Sequence, residues 1–477
     1  MRLRALPGYS ALLLDYVEDA PSVRPFLSFH PDRETLLSHA AQATVRRSPR
    51  DAVCKLLSEQ AAEFQSGEQV RENIRLLREP GTAVVLTSLA PSILGGPLCL
   101  LLRCLSAAKL ARELSRAGVP SVPLAWIQTE DSRRNSACSL SLLNADSKLA
   151  RLSLDESVPD PSEETLQRIL QIASPNWDSE VVDILRGVLA RGTRVALASA
   201  AFLALLVDAW GVVFLDPRKP GYQALAADAA APLKKDPTKT LALLGERSAM
   251  LAQAGYDSPQ RPSAEDNDEN AVETCLVQNS VLPVAVLVAG SSDLHGFSLA
   301  VPFFQEIGQA PPLPWPRVSA TLVDARNRKI LEKYKLVLED LFAGQQEVLR
   351  RTGLREAEHQ AASSFDALIA GIESRIQKMA ALAPDEGLEA EVRSSRERIL
   401  YQLGKLKDRF VSASIVRREA AIRQLERACN SLAPESQPQE RKLGALHFLL
   451  RYSCAIIPRI YDKITVCSHD HQIIDVD

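Results

Sequence analysis

Residues Gly95 to Asp131 read GGPLCLLLRCLSAAKLARELSRAGVPSVPLAWIQTED. A Gly-Gly-Pro turn opens a helix that ends at Gly118. A Val/Pro-rich apolar strand, Val122 to Gln128, follows it and delivers Glu130 and Asp131 at its carboxyl end. Turn, helix and acid-ended strand make half of a parallel α/β sheet, and such sheets take their ligands outside the carboxyl ends of the strands. The segment Ala83 to Leu89 (AVVLTSL), preceded by the breaker Pro80-Gly81, supplies the strand before the turn. Its unbroken apolar run suits a parallel strand covered on both faces.

The same pattern recurs further along. Val195 to Leu215 is apolar apart from Ser199, Asp208 and Gly211, and the last two divide it into a buried helix and a buried strand ending at Asp216-Pro217. A membrane span needs about 20 apolar residues without such a break. Leu282 to Leu294 gives another buried strand, ending in Gly290-Ser291-Ser292-Asp293. Residues 1–80 read as helical, with Asp32 as a cap. The fold class is therefore α/β, with a core over 1–320 that has N-terminal helices and inserted connecting segments.

The character changes after Pro316. From Ala325 to Ala433 the chain is rich in Glu, Arg, Lys, Gln, Ala and Leu, with Pro384 as its one internal proline. Phe365, Leu368, Ile372, Ile376, Met379 and Leu382 recur at threes and fours, and so do Ile399, Leu403, Leu406, Phe410 and Ala413. This is heptad spacing. The breaker Ala383-Pro384-Asp385-Glu386-Gly387 folds the two runs into an antiparallel coiled-coil hairpin over 325–433, each arm about 50 Å long. So slender a hairpin cannot bury both of its sides alone, which points to a partner. The segment 434–477 is apolar and compact and is expected to dock on the core.

Glu130 and Asp131 can bind an amine, hold magnesium or act as a general base. Gly95, Gly96 and Pro97 allow close backbone approach, with the following helix N-terminus open to a phosphate. Asp293 and His295 follow a strand end in the same manner. His469 and His471 flank Asp470, but nothing accompanies them as further ligands, so a flexible polar tail is the favoured reading over a metal pair; the segment from His469 to Val476 also has the look of an edge strand. No dinucleotide fingerprint or phosphate-loop lysine is present. A net charge of −3 leaves no basic footprint for nucleic acid. Eight scattered cysteines without a Cys-x-x-Cys pair read as reduced thiols, and the N-terminus shows no signal-peptide pattern, which places the chain in the cytoplasm.

The order of GGPL…AAKLARELSRAGVPSVPLAWIQTED, PRVSATLVDARNRKILEKYKLVLEDLFAG (Pro316 to Gly344) and REAAIRQLERACNSLAP…QERKLGALHFLLRY (Arg418 to Tyr452) resembles the bacillithiol-biosynthesis cysteine-adding enzymes, the BshC family. The opening LPGYSALLLDYVEDAPSVRPF is similar too. The resemblance implies a Rossmann-like core of nucleotidyltransferase type, a coiled-coil arm and a homodimer made through it. It also implies ligation of cysteine to glucosaminyl malate, with ATP and magnesium as the expected co-substrate and ion. By position it implies Thr87, Gly95, Gly96 and Pro97 at the nucleotide, Glu130 and Asp131 at the chemistry, and Arg317 and Ser319 at the substrate; the strand-end reading adds Asp293 and His295 there, and Arg133, which departs from the family pattern, would be a new anion contact.

The chain also departs from the family pattern. Thr87-Ser88-Leu89-Ala90 stands where Thr-Gly-Gln-Gln is usual, and Glu130-Asp131-Ser132-Arg133 where Glu-Asp-His-Asp is usual. Cys99 replaces a tyrosine. A second reading is therefore set beside the first: a catalytically degenerate relative that keeps the fold and arm and serves as a binding or structural partner.

Overall fold

The computed structural model describes residues 1–46, 48–90, 92–128, 139–153, 161–173, 177–191, 195–256, 268–352, 356–382 and 385–476. The chain divides into two compact units, Met1–Ala325 with Gln437–Asp477, and Arg326–Ser436.

The first unit is built on a five-stranded parallel sheet. Its strands are β1 (Ala83–Leu89), β2 (Ser121–Ile127), β5 (Val213–Leu215), β6 (Val284–Ala289) and β7 (Leu313–Pro316), in the order β5-β2-β1-β6-β7. β1 pairs with β2 from Ala83↔Ser121 to Leu89↔Ile127, and with β6 at Leu86↔Leu287 and Thr87↔Val288. Counted along the chain, the five strands lie 3-2-1-4-5. The winding reverses between β1 and β6, which is the switch point of a Rossmann-type sheet.

Every residue of β1, β2 and β6 is buried. Alternate residues of β1 enter different cores: Ala83 and Val85 join one, Val84 and Leu86 the other. The first core is closed by the helices Leu98–Arg116 and Val195–Val207, the second by Arg50–Glu63, Glu68–Arg78, Asp268–Val281 and Ser291–Glu306. A two-faced cover is what makes β-branched and leucine runs without alternation stable as strands.

Two strand pairs complete the unit. β3 (Ser139–Leu143) and β4 (Leu149–Ser153) form an antiparallel hairpin. β8 (Ala320–Val323) pairs in parallel with β9 (Gln472–Asp475). The C-terminal segment is thus a strand bonded into the first unit, which replaces the flexible tail expected for the histidines there.

The second unit opens with short helices, Arg326 being its first residue, and continues into the long pair Glu356–Ala380 and Glu386–Leu432. The second of these has 47 residues, about 70 Å of helix and longer than the 50 Å arm expected. Asp385 caps it, accepting the Leu388 N–H at 2.8 Å; Ala383 and Pro384 of the expected turn lie outside the described residues. Phe365 and Phe410 pack ring to ring at 5.4 Å, and the ion pairs Arg396–Glu373 and Lys407–Asp366 join the two helices. Phe365, Ile372 and Ile376 are half-buried, whereas Met379 and Leu382, expected in the same seam, are 66% and 83% exposed.

Candidate functional site at the sheet switch point

The carboxyl ends of β1 and β6 lie side by side, and β2 ends next to β1, where the Gln128 N–H donates to the Leu89 carbonyl at 2.9 Å. Glu130, Asp131 and Arg133 follow at once in the chain, but they lie outside the described residues. The first helix after the switch point, Leu98–Arg116, sends Arg103 across it. Arg103 Nη1 donates to the Ser88 carbonyl at 3.0 Å, and Nη2 meets Asp293 Oδ2 at 2.5 Å. Asp293 also accepts the Gly290 N–H at 2.8 Å, which seals the start of the Ser291–Glu306 helix. A Cβ at Gly290 would stand 2.7 Å from Arg103 Nη2, so a side chain there would make the guanidinium shift. Ser291 Oγ accepts the Ser10 N–H at 3.2 Å, tying the N-terminal segment to the same edge.

The glycine turn is placed as expected but is closed. Gly95 and Gly96 have φ of +85° and +59°, and a Cβ on Gly96 would lie 2.5 Å from Ser92 Oγ. Their N–H groups donate inward, Gly95 to Ser199 Oγ and Gly96 to the Ile93 carbonyl. The Leu98 N–H goes to the Leu443 carbonyl, and Pro97 has none to give. Thr87 is fully buried, with its hydroxyl on the Val288 carbonyl. The phosphate cradle expected from these four residues is therefore not formed by them, because their donors are spent on the fold. Among the described residues no group of three or more His, Cys, Asp or Glu could hold a metal ion.

Arg317 and Ser319, expected at the substrate, are buried beside β8. Arg317 Nη2 donates to Glu440 Oε1 at 2.7 Å, with the two side chains 6% and 0% exposed. Glu440 Oε2 accepts the Ala320 N–H, and Oε1 accepts from the Tyr9 hydroxyl at 2.9 Å. Ser319 Oγ lies 2.6 Å from Tyr9 Oη and 2.6 Å from His471 Nδ1, and His471 Nε2 lies 2.8 Å from Thr321 Oγ1.

Burial alone would raise the Glu440 carboxyl, but the charge and hydrogen bond of Arg317 outweigh it and hold it at about 2. Burial likewise works against the Arg317 cation, and Glu440 reverses that and drives its pKa well up. Burial, with Glu440 beside it, pushes Tyr9 to about 12. Burial pushes His471 down to about 4. Both expected substrate contacts thus belong to a closed polar network. His295 is 3% exposed inside the Ser291–Glu306 helix rather than at a cleft mouth. His469 packs edge-on against Trp315 and shares Nε2 with the Pro31 carbonyl at 2.8 Å.

Residues 1–268 match the N-terminal Rossmann-like domain of the bacillithiol biosynthesis protein BshC, and residues 320–476 match its C-terminal coiled-coil domain. The chain belongs to the BshC family. It is 24% identical to a Koribacter versatilis protein over 99% of each chain, and 25% identical to a Solibacter usitatus protein over 100% of this chain and 99% of that one. A Salinibacter ruber relative is 23% identical over 99% of this chain and 97% of its own. All three carry names that give them, provisionally, as the cysteine ligase BshC. Within this BshC-family fold, sequence reasoning found Asp293 at the switch point and missed Arg103, Tyr9 and Glu440. The available signal for Arg103 was a lone cation between Leu102 and Cys104 in an apolar run.

Proposed function

We propose that this chain is a ligase of bacillithiol biosynthesis that joins cysteine to glucosaminyl malate, with its substrates at the carboxyl ends of β1 and β6. What supports this reading above all is the match to both family domains, together with a sheet whose switch point carries a partly accessible Arg–Asp pair. Amide formation from a free carboxylate in water needs an activated carboxyl. ATP with magnesium is proposed as that source of activation, on the family resemblance alone, since the N–H groups of the glycine turn are spent on the fold. The chain's own part is to hold the reactants in register and exclude water from the amine's attack. The homodimer through the arm belongs to the same proposal.

One observation favours the second reading. The glycine turn has no donor left, as expected of a relative that keeps the scaffold without turnover. The deciding experiment incubates the purified chain with L-cysteine, glucosaminyl malate, ATP and magnesium and follows product mass. The ligase reading expects the condensed product, lost when any one reactant is omitted. No product from the complete mixture, with the chain folded, favours the non-catalytic relative.

A further inference from the structure

Resting on the ligase reading, we infer that the Arg103–Asp293 pair is the recognition element for the free amino acid, Arg103 taking its carboxylate and Asp293 its ammonium. The pair lies across the switch point, with side chains 14% and 13% exposed, within reach of a small solute. Each partner is held by a backbone contact that does not depend on the other. The Ser88 carbonyl keeps the guanidinium in place, and the Gly290 N–H keeps the carboxylate in place. The pair can therefore open without either group losing its direction.

A zwitterion is the ligand that suits such an opening. It presents an anion to Arg103 and a cation to Asp293, so neither charge is left unpaired in a poorly hydrated place. Arg103 also has a donor to spare: its Nε is buried and has no partner among the described residues. A second N–H beside Nη2 allows the forked hold on a carboxylate that arginine gives and lysine does not. A simple anion such as phosphate would satisfy Arg103 but would face the Asp293 carboxylate at close range. The missing side chain of Gly290 keeps the space beside Nη2 clear.

The test is calorimetric titration of the full-length chain with three probes, under a non-thiol reductant and with glucosaminyl malate present. The probes are L-cysteine, 3-mercaptopropionate, which lacks the ammonium, and cysteamine, which lacks the carboxylate. The wild type should bind cysteine at least tenfold more tightly than either analogue. Arg103→Met should weaken cysteine at least tenfold, to the level of cysteamine. Asp293→Asn should weaken cysteine and bind 3-mercaptopropionate more tightly than the wild type does, because Arg103 has lost its internal counter-ion. Arg103→Lys, which keeps the charge without the fork, should fall between the wild type and Arg103→Met, and it serves if the methionine variant does not fold.

Unchanged cysteine affinity in the folded variants would overturn the assignment, as would absence of cysteine binding to the wild type. Phosphate binding the wild type as tightly as cysteine does would overturn it as well, since the site would then select an anion and not a zwitterion. Product formation alongside normal cysteine affinity in both variants would reject the pair while keeping the ligase. Zwitterion-selective binding without product would reject the ligase while keeping the pair.

Discussion

Glu440 is the residue on which the polar interior of the first unit turns. It is wholly buried, yet it satisfies Arg317, Tyr9, Ser319 and the Ala320 N–H at once. Breaking a buried pair by neutralising one partner leaves the other charge without compensation. Glu440→Gln should therefore destabilise the fold by about 3–5 kcal/mol, read as a lower denaturant midpoint; a loss below 1 kcal/mol would show that water reaches Arg317. His471 faces Glu440, Arg317 and the N-terminal amine, and burial brings it from 6.5 to about 4. Burial, then Arg451, brings His447 from 6.5 to about 4 as well. The unfolded chain binds these protons more readily than the folded one, so stability rises with pH in that window. Stability is complete above pH 6.5 and is lost as pH falls toward 4, by roughly 3 kcal/mol for each histidine at 1.36 kcal/mol per unit. Glu440 extends the loss below 4.5, as it takes up its own proton. Denaturation at pH 7 and pH 4.5 should show the slope, and His471→Asn should flatten it; an unchanged slope would remove His471 from the network.

At the level of elements, strands and helices were legible where one rule sufficed. β1, β2, β5 and β6 are mostly apolar runs without polar alternation, bounded by breakers, and both faces of each are covered. β7 was not legible, because LPWP carries two prolines. Interior β2 carries one proline, Pro123, within seven residues, but two prolines in four residues leave too few N–H donors to read as a strand in the middle of a sheet; they are tolerated at an edge, and β7 is the edge strand. Trp315 fixes it there, fully buried and donating to the Val466 carbonyl at 2.8 Å. Trp315→Ala should cost about 3–5 kcal/mol through the cavity it leaves, measured by denaturant unfolding; a loss under 1 kcal/mol would mean the edge collapses to fill the gap. The site was only half legible for a related reason. Glycines and strand-end acids mark a turn in any α/β sheet, but the sequence does not say whether their N–H groups are free. Ser199, more than a hundred residues from Gly95, takes that donor, and no local pattern announces it.

At the scale of the whole molecule, the arm presents apolar side chains that nothing in the hairpin covers. Among the described residues from Ser363 to Leu382, none is buried. Leu388, Ile399, Tyr401, Leu406 and Phe410 of the second long helix are also exposed by 43–60%. A hairpin of two helices leaves such a face uncovered, and a second copy of the chain would cover it. If the proposed homodimer forms through the arm, the chain should run as a dimer in light scattering and replacing Met379 and Phe410 together by glutamate should shift it to monomer; an unchanged mass would refute the arm as the interface. No helix among the described residues is long and apolar enough to cross a membrane, so the exposed apolar residues of the arm do not make up a span. The claim that joins these scales is that the β1/β6 switch point is where the amino acid sits. A crystal structure of the chain grown with L-cysteine and glucosaminyl malate tests it most directly. The account predicts cysteine density between Arg103 and Asp293, with their 2.5 Å contact opened; cysteine bound elsewhere, with that contact intact, would contradict it.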